Sequence, residues 1–214
     1  MEKFSIIIPT MWKSDLIYQM LPLYQECELV AEIIIISNSQ LAIDDSLRFS
    51  SVNLSKVRFY STGENNYVNA SWNIGAIMAK HTIILVNDDI MIADINFLLK
   101  GISMRQEYDL IGATVNNLAG FKGLKSWDKE KGFPRKSFGC FMVCRNYTRI
   151  PEAMKILCGD NWLFNHAKSV GIIGAGCIQT PISVTIKSDP EFSKIGLEDK
   201  NVYQRLMTNK EYIS

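Results

Sequence analysis

Ile83-Ile84-Leu85-Val86-Asn87-Asp88-Asp89-Ile90 is the stretch on which the reading of this chain turns. Four consecutive large apolar residues describe a strand covered on both faces. The abrupt change to an amide and two carboxylates sets those oxygens at its carboxyl end. In open α/β sheets that edge is where ligands bind. Adjacent carboxylates repel each other, so the pair is most easily kept with a divalent cation between it and a polyphosphate. The same Asn-Asp-Asp is also good turn chemistry, because short polar side chains bond neighbouring backbone and end a strand. A metal-assisted nucleotide site and a plain turn both fit these residues in isolation.

Upstream of them, apolar runs alternate with helical spacing. Residues 4–9 read as a first strand, and residues 12–28 carry Leu16, Met20, Leu23 and Tyr24 at helical intervals despite Pro22. Residues 32–37 form a second strand with four successive isoleucines, and residues 57–61 a third. Residues 46–54 are ambiguous. Residues 67–80 read as a helix with Ala70, Ile74, Ile77 and Met78 inward. With residues 83–86 as a fourth strand, this is the alternation of a parallel, doubly wound sheet. If the strands are parallel, Pro9-Thr10, Ser37-Asn38 and Asn87-Asp88-Asp89 share one edge and form a convergent site.

Downstream, helices are expected at 94–106, 160–169 and 197–207, strands at 110–115 and 138–144, and a strand pair or bent strand at 172–186. The expected architecture is one α/β domain over residues 1–214, with a mostly parallel central sheet flanked by helices and a smaller antiparallel element in the C-terminal half. Residues 116–137 change composition. They bring Gly120, Gly123, Gly132 and Pro134 together with six Lys or Arg residues and the aromatics Phe121, Trp127 and Phe133, the pattern of a functional loop.

The composition excludes several classes. With 47% hydrophobic and 21% charged residues the chain is an ordinary globular one. A formal net charge of +1 gives no field to draw it to nucleic acid or an anionic membrane. The five cysteines, Cys27, Cys140, Cys144, Cys158 and Cys177, lack zinc spacing and read as reduced core thiols. Residues 1–5 run straight into the first strand without a leader pattern, and no apolar run has spanning length. A cytoplasmic protein is expected.

Several side chains can carry chemistry. Asp89 is the first candidate metal ligand and Asp88 the second, since hard oxygen donors suit Mg²⁺ or Mn²⁺. Successive strand side chains diverge, so one of the two can instead meet a sugar hydroxyl or cap a turn. Asn87 suits a ribose hydroxyl. Asp160, after Gly159, reads either as a helix N-cap or as a general base on a rigid helix start. Lys187, Lys122, Lys125, Arg135 and Lys136 are candidates for diphosphate charge. Trp12 and Trp127 are the tryptophans favoured as stacking faces. His166 reads as structural. Gly171, Gly174 and Gly176 precede a strand, so they do not make a pyrophosphate fingerprint.

These motifs resemble the GT-A glycosyltransferases, especially the family 2-like enzymes and, in size, short virus-encoded members. Ser5-Ile6-Ile7-Ile8-Pro9-Thr10 resembles their first strand and nucleotide loop, and residues 32–38 resemble the second strand with its uracil-contacting end. Asn69-Ala70-Ser71-Trp72-Asn73-Ile74-Gly75 is similar to their Ala-Arg-Asn-x-Gly helix, with Trp72 in place of arginine. Asn87-Asp88-Asp89 matches the Asp-x-Asp position, with asparagine replacing the first aspartate. Gly159-Asp160-Asn161 is similar to the segment with the acceptor-activating carboxylate, and Lys187 stands where a histidine is often found.

The resemblance implies a nucleotide-sugar half at 1–90 and an acceptor half at 91–214. It implies transfer, with inversion, from a UDP-sugar to a hydroxyl of a glycan or glycoprotein. Mn²⁺ or Mg²⁺ would sit on Asp89 and Asp88, and Asp160 would be the base. Pro9, Thr10, Met11, Trp12, Ser37 and Asn38 would hold the donor, together with Asn69, Asn73, Asn87, Asp88 and Lys187. If virus-encoded, the protein would act in the host cytoplasm. Two other classes remain, a sugar-nucleotide nucleotidyltransferase and a non-catalytic nucleotide or glycan-binding module. The first should carry a Gly-rich basic loop where Pro9-Thr10-Met11-Trp12-Lys13 stands.

Overall fold

The computed structural model describes residues 1–39, 54–113, 123–134, 136–174, 178–179 and 190–209. Strand β1 (Phe4–Thr10) is followed by α1 (Leu16–Glu26), β2 (Val30–Ser37), β3 (Val57–Ser61), α2 (Tyr67–Met78) and β4 (Thr82–Val86). Next come β5 (Met91–Ile92), α3 (Ile95–Ser103), β6 (Leu110–Ala113), β7 (Gly123–Ser126) and two 3₁₀ turns, Lys129–Lys131 and Lys136–Cys140. Strand β8 (Phe141–Cys144), α4 (Gly159–His166), β9 (Val170–Gly174), β10 (Ile178–Gln179) and α5 (Pro190–Thr208) complete the order.

Eight strands form one sheet in the order β3-β2-β1-β4-β8-β6-β9-β7, and β5 pairs with β10 in a small antiparallel one. The pairs among β3, β2, β1 and β4 are all parallel, as the alternation of the first ninety residues predicts. Strand β8 enters from the opposite direction between β4 and β6, and β7 closes the far edge antiparallel to β9. The sheet is therefore mixed in its second half.

The apolar runs explain why the central strands are covered on both faces. In β1, Ile6 and Ile8 enter one core with Ile33, Ile35, Ile84 and Val86. Ile7 enters the other with Ile34, Ile36, Ile83 and Leu85. A one-residue slip would exchange the two sets, so the register is fixed from both sides.

Helix α2 keeps part of its predicted face, with Ile74 and Met78 packed partly against the core. Ile77 is exposed, and the buried residues are Asn69, Ser71, Trp72, Asn73 and Gly75. This face is small and polar because the helix lies close on β1 and its amides find backbone partners. A Cβ at Gly75 would stand 2.3 Å from Ile7 Cγ2. In α1, likewise, Ile17, Met20, Leu21 and Tyr24 are buried while Leu23 is exposed. Helix α5 begins seven residues earlier than expected, and Lys136–Cys140 is a 3₁₀ turn ahead of a shorter β8. Gly75→Ala is expected to destabilise the fold by about 1–3 kcal/mol through overpacking against Ile7, read as a lower urea midpoint at unchanged slope.

Candidate functional site at the carboxyl edge of the sheet

Three strand ends meet as the parallel reading requires. Thr10 and Ser37 are register partners at the last rung of β1 and β2, and Asn38 N–H extends the ladder to Thr10 O at 2.8 Å. On the other side of β1, Asn87 N–H continues the antiparallel pairing of β4 to Cys140 O at 3.0 Å. Asp88 and Asp89 follow in a turn. The turn and the convergent-site readings of Asn-Asp-Asp thus describe one geometry.

Thr10 is the hub of this edge. Its hydroxyl donates to Asp88 Oδ2 at 2.6 Å and accepts Trp12 N–H at 2.8 Å. Trp12 sits at φ 59°, a left-handed backbone that costs a non-glycine residue on the order of 1–3 kcal/mol. Two bonds hold it there, the one to Thr10 and an indole N–H donated to Ser37 Oγ at 2.9 Å. The ring stacks on Tyr18 at 6.0 Å and lies 6.3 Å from Phe59. Pro9 is buried and Met11 half-buried between these anchors.

The acidic groups share one electrostatic neighbourhood. Asp88 is pushed up to about 6, first by burial and then by the charge of Asp89, against the Thr10 bond. Burial also raises Asp89. Asp160 is raised to about 6 by burial, opposed by the Asn161 N–H that its Oδ1 accepts at 2.9 Å. The charges of Asp89 and Asp160 both reach the Cys140 thiol, which lies between the two segments and is raised to about 12, mainly by its own burial. Gly139 lets Asp160 come close, since a Cβ there would stand 2.7 Å from Asp160 Oδ2.

Asp160 is not the N-cap of α4. That place belongs to Cys158, at φ 63° and without a side-chain capping bond, and Asp160 stands inside the first turn.

Asn69 and Asn73, expected on the nucleotide, bond backbone groups of residues 150–157. Asn69 Nδ2 donates to Met154 O and Leu157 O at 3.2 and 3.0 Å. Asn73 Nδ2 donates to Ile150 O at 2.8 Å, and its Oδ1 accepts from Ile150 N–H and the Tyr147 hydroxyl. Both amides therefore tie α2 to the segment that leads to Asp160. Asn38 is similarly engaged. Its side chain accepts from Asn66 N–H and Ser71 Oγ and donates to Tyr67 O, joining β2 to the start of α2.

Trp127 lies beyond β7 at the far edge of the sheet, away from Trp12, and donates its indole N–H to Gly132 O at 2.9 Å. His166 is structural, with Nδ1 2.8 Å from Trp162 O and its ring 4.0 Å from the Trp162 ring. Lys187, Lys122, Arg135 and Cys177 lie outside the described residues, as do residues 114–122 of the basic aromatic stretch.

Gly139 was not singled out in the sequence, and Cys140 was read only as a core thiol. Their only signal is a small residue immediately ahead of the apolar run Phe141–Cys144.

Two adjacent carboxylates, both disfavoured as anions by burial, fit a hard dication whose other ligands are phosphate oxygens and water. No cluster of three or more His, Cys, Asp or Glu is gathered among the described residues. No helix among the described residues is long and apolar enough to cross a membrane.

No protein-family model and no curated protein matches the chain. Solved structures do. S. aureus TarS 1-349 in complex with UDP-GlcNAc superposes with a TM-score of 0.61 at 13% identity, over 90% of this chain and 64% of that one. Its complex with UDP gives 0.59 at 13% identity, over 98% and 73%. A structure of S. aureus TarS gives 0.56 at 14% identity, over 98% of this chain and 44% of that one. The fold is GT-A-like. The chain spans about two thirds of the first TarS structure and under half of the last.

Thr10→Val keeps the shape of the side chain and removes both bonds of its hydroxyl. It is expected to cost about 1.5–3 kcal/mol, since one partner is a charged group, whereas Thr10→Ser should hold near wild type in the same urea titration. Asp160 has a different pH signature. Its carboxyl is raised in the folded chain, so between about pH 4 and 6 the unfolded state releases this proton first and stability falls as pH rises. Asp160→Asn removes that penalty. It should raise stability at pH 7 by up to about 3 kcal/mol and make no comparable difference at pH 4, seen in thermal unfolding across the range.

Proposed function

We propose that this protein is a glycosyltransferase that moves a sugar from a nucleotide diphosphate donor, a UDP-sugar, to a hydroxyl acceptor on a glycan or glycoprotein. The observation that carries the reading is the gathering of Thr10, Trp12, Asp88, Asp89 and Asp160 along one sheet edge. The edge belongs to a fold shared with TarS, a GT-A-like glycosyltransferase solved with UDP-GlcNAc.

In this reading, Trp12 offers its ring to the uracil beside the ends of β1 and β2, and Asn87 offers its amide to the ribose. Asp88 and Asp89 would hold Mn²⁺ or Mg²⁺, which when bound neutralises the charge on a departing diphosphate. Asp160 takes the proton from the acceptor hydroxyl. Direct attack on the anomeric carbon then gives inversion. Burial has placed this carboxyl near pH 6, where it is largely ionised at neutral pH and still a stronger base than an ordinary carboxylate.

Thermal unfolding with UDP, GDP, CDP and dTDP, each with and without Mn²⁺, tests the donor site. UDP with Mn²⁺ should stabilise the wild type by roughly 2.7 kcal/mol at a hundredfold excess over Kd. Asp89→Ala should abolish the part that requires Mn²⁺. No shift with any nucleotide would leave a module without a donor site and sink the proposal. For the chemistry, Asp160→Asn should lower turnover of the matching UDP-sugar by at least a hundredfold with donor affinity retained. In the wild type, kcat should fall tenfold per pH unit below about 6.

A further inference from the structure

The segment that presents Asp160 is clamped from two directions. From α2, Asn69 holds Met154 O and Leu157 O. From α5, the carboxylate of Asp199 accepts three successive backbone N–H groups, Lys155 at 2.8 Å, Ile156 at 2.7 Å and Leu157 at 2.7 Å. Asp199 is only 1% exposed. Three amides converging on one buried anion fix the dihedrals of this turn, and bonds to an ionised acceptor are about twice as strong as neutral ones.

The rest of α5 is shaped to the same contact. Gly196, three residues before Asp199, faces Leu157, where a Cβ would stand 2.8 Å from Leu157 Cδ1. Tyr203, four residues after Asp199, accepts a hydrogen bond from Asn165 Nδ2 in the second half of α4. Helix α5 thus grips the turn that enters α4 and the far part of α4 itself.

Between the gripped turn and Asp160 stand Cys158 and Gly159. Cys158 is in the left-handed region at φ 63°. Gly159 lies against Asn69, where a Cβ would stand 2.1 Å from Asn69 Oδ1. Two residues, one of them packed against Asn69, thus separate the gripped turn from Asp160.

We propose that Asp199 is a positioning residue that orients Asp160 through the Lys155-Ile156-Leu157 turn, so that the C-terminal helix completes the acceptor side of the site. This rests on the reading of Asp160 as the base.

The test uses the full chain with Asp199→Ala and Asp199→Asn, alongside Asp160→Asn. Three quantities are measured: UDP binding in Mn²⁺ by calorimetry, the titration of the Asp160 carboxyl carbon by NMR, and UDP release from UDP-GlcNAc. Asp199→Ala should leave the UDP Kd within about twofold, move the Asp160 titration down from about 6 as its packing loosens, and slow UDP release by about a hundredfold, the scale of a 1 Å misplacement. Asp199→Asn keeps an acceptor oxygen and should recover at least tenfold of that loss. A folded Asp199→Ala with the wild-type titration and wild-type release overturns the proposal. If Asp199→Ala does not fold, Asp199→Asn decides, because an unchanged titration and release within twofold overturn it equally. Asp160→Asn releasing UDP at the wild-type rate removes the base reading, and this proposal with it. Loss of UDP release in Asp160→Asn, with Asp199 variants that behave as wild type, removes the positioning role alone.

Discussion

The parallel register of β1 between β2 and β4 is the constraint on which everything at the sheet edge depends. Strand residues rise about 3.3 Å each and neighbouring strands lie about 4.8 Å apart, so side chains from three strand ends can touch only if the pairing is in step. Here Thr10 faces Ser37 on the last rung, and Ile7 pairs with Leu85 three residues short of Asp88. The step is enforced far from the site, by isoleucines that fill two separate cores on alternating sides of the same strands. The Thr10 hydroxyl can then serve Asp88 and Trp12 together because the hydrophobic packing has already set the spacing.

The same architecture concentrates negative charge where the protein least readily accommodates it. Asp88, Asp89 and Asp160 are all raised by burial, and the Cys140 thiol feels the last two at once. Among the described residues, only Asp88 of the three gains a side-chain donor, from Thr10. Such an edge weakens the fold, and in the proposed function its carboxylates would be relieved by the cation that accompanies the diphosphate. The left-handed backbone of Trp12 and Cys158 adds strain at the two ends of the same region. Strain and unbalanced charge at a site, held by an ordinary core elsewhere, is the distribution expected where function opposes stability.

The first ninety residues were legible because their signals are local. Uninterrupted apolar runs mark strands buried on both faces, and β3 falls where the sequence predicts, at Val57–Ser61. The antiparallel insertion of β8 between β4 and β6 was not legible, since a short apolar run has no direction until its partners are known. The backbone partners of Asn69 and Asn73 were not legible for a related reason. An amide on a helix can bond a ligand or a distant carbonyl, and theirs are 77 to 88 residues away in sequence. Asp199 gives no signal at all, because in sequence it is one charge among many on a polar helix. Only the fold puts three amide groups in front of it.

That difference in range divides the site physically. The proposed donor edge is built by strands and a helix that succeed one another along the chain, and its bonds join Thr10, Trp12, Ser37, Asn38 and Asp88. The placement of Asp160 depends on contacts that span the chain, from Asn69 and Asn73 on one side and from Asp199 on the other. Parts held by different elements can be perturbed separately, and sites far apart with no shared partners behave additively. Among the described residues, the proposed donor edge and the presentation of Asp160 meet at the Gly139-Cys140 step, where Asn87 N–H meets Cys140 O and Asp160 lies against Gly139. A second link runs through α2, whose start is tied to β2 by Asn38 and whose middle carries Asn69 and Asn73, so these two routes are where the described residues can couple the proposed donor site to the orientation of Asp160.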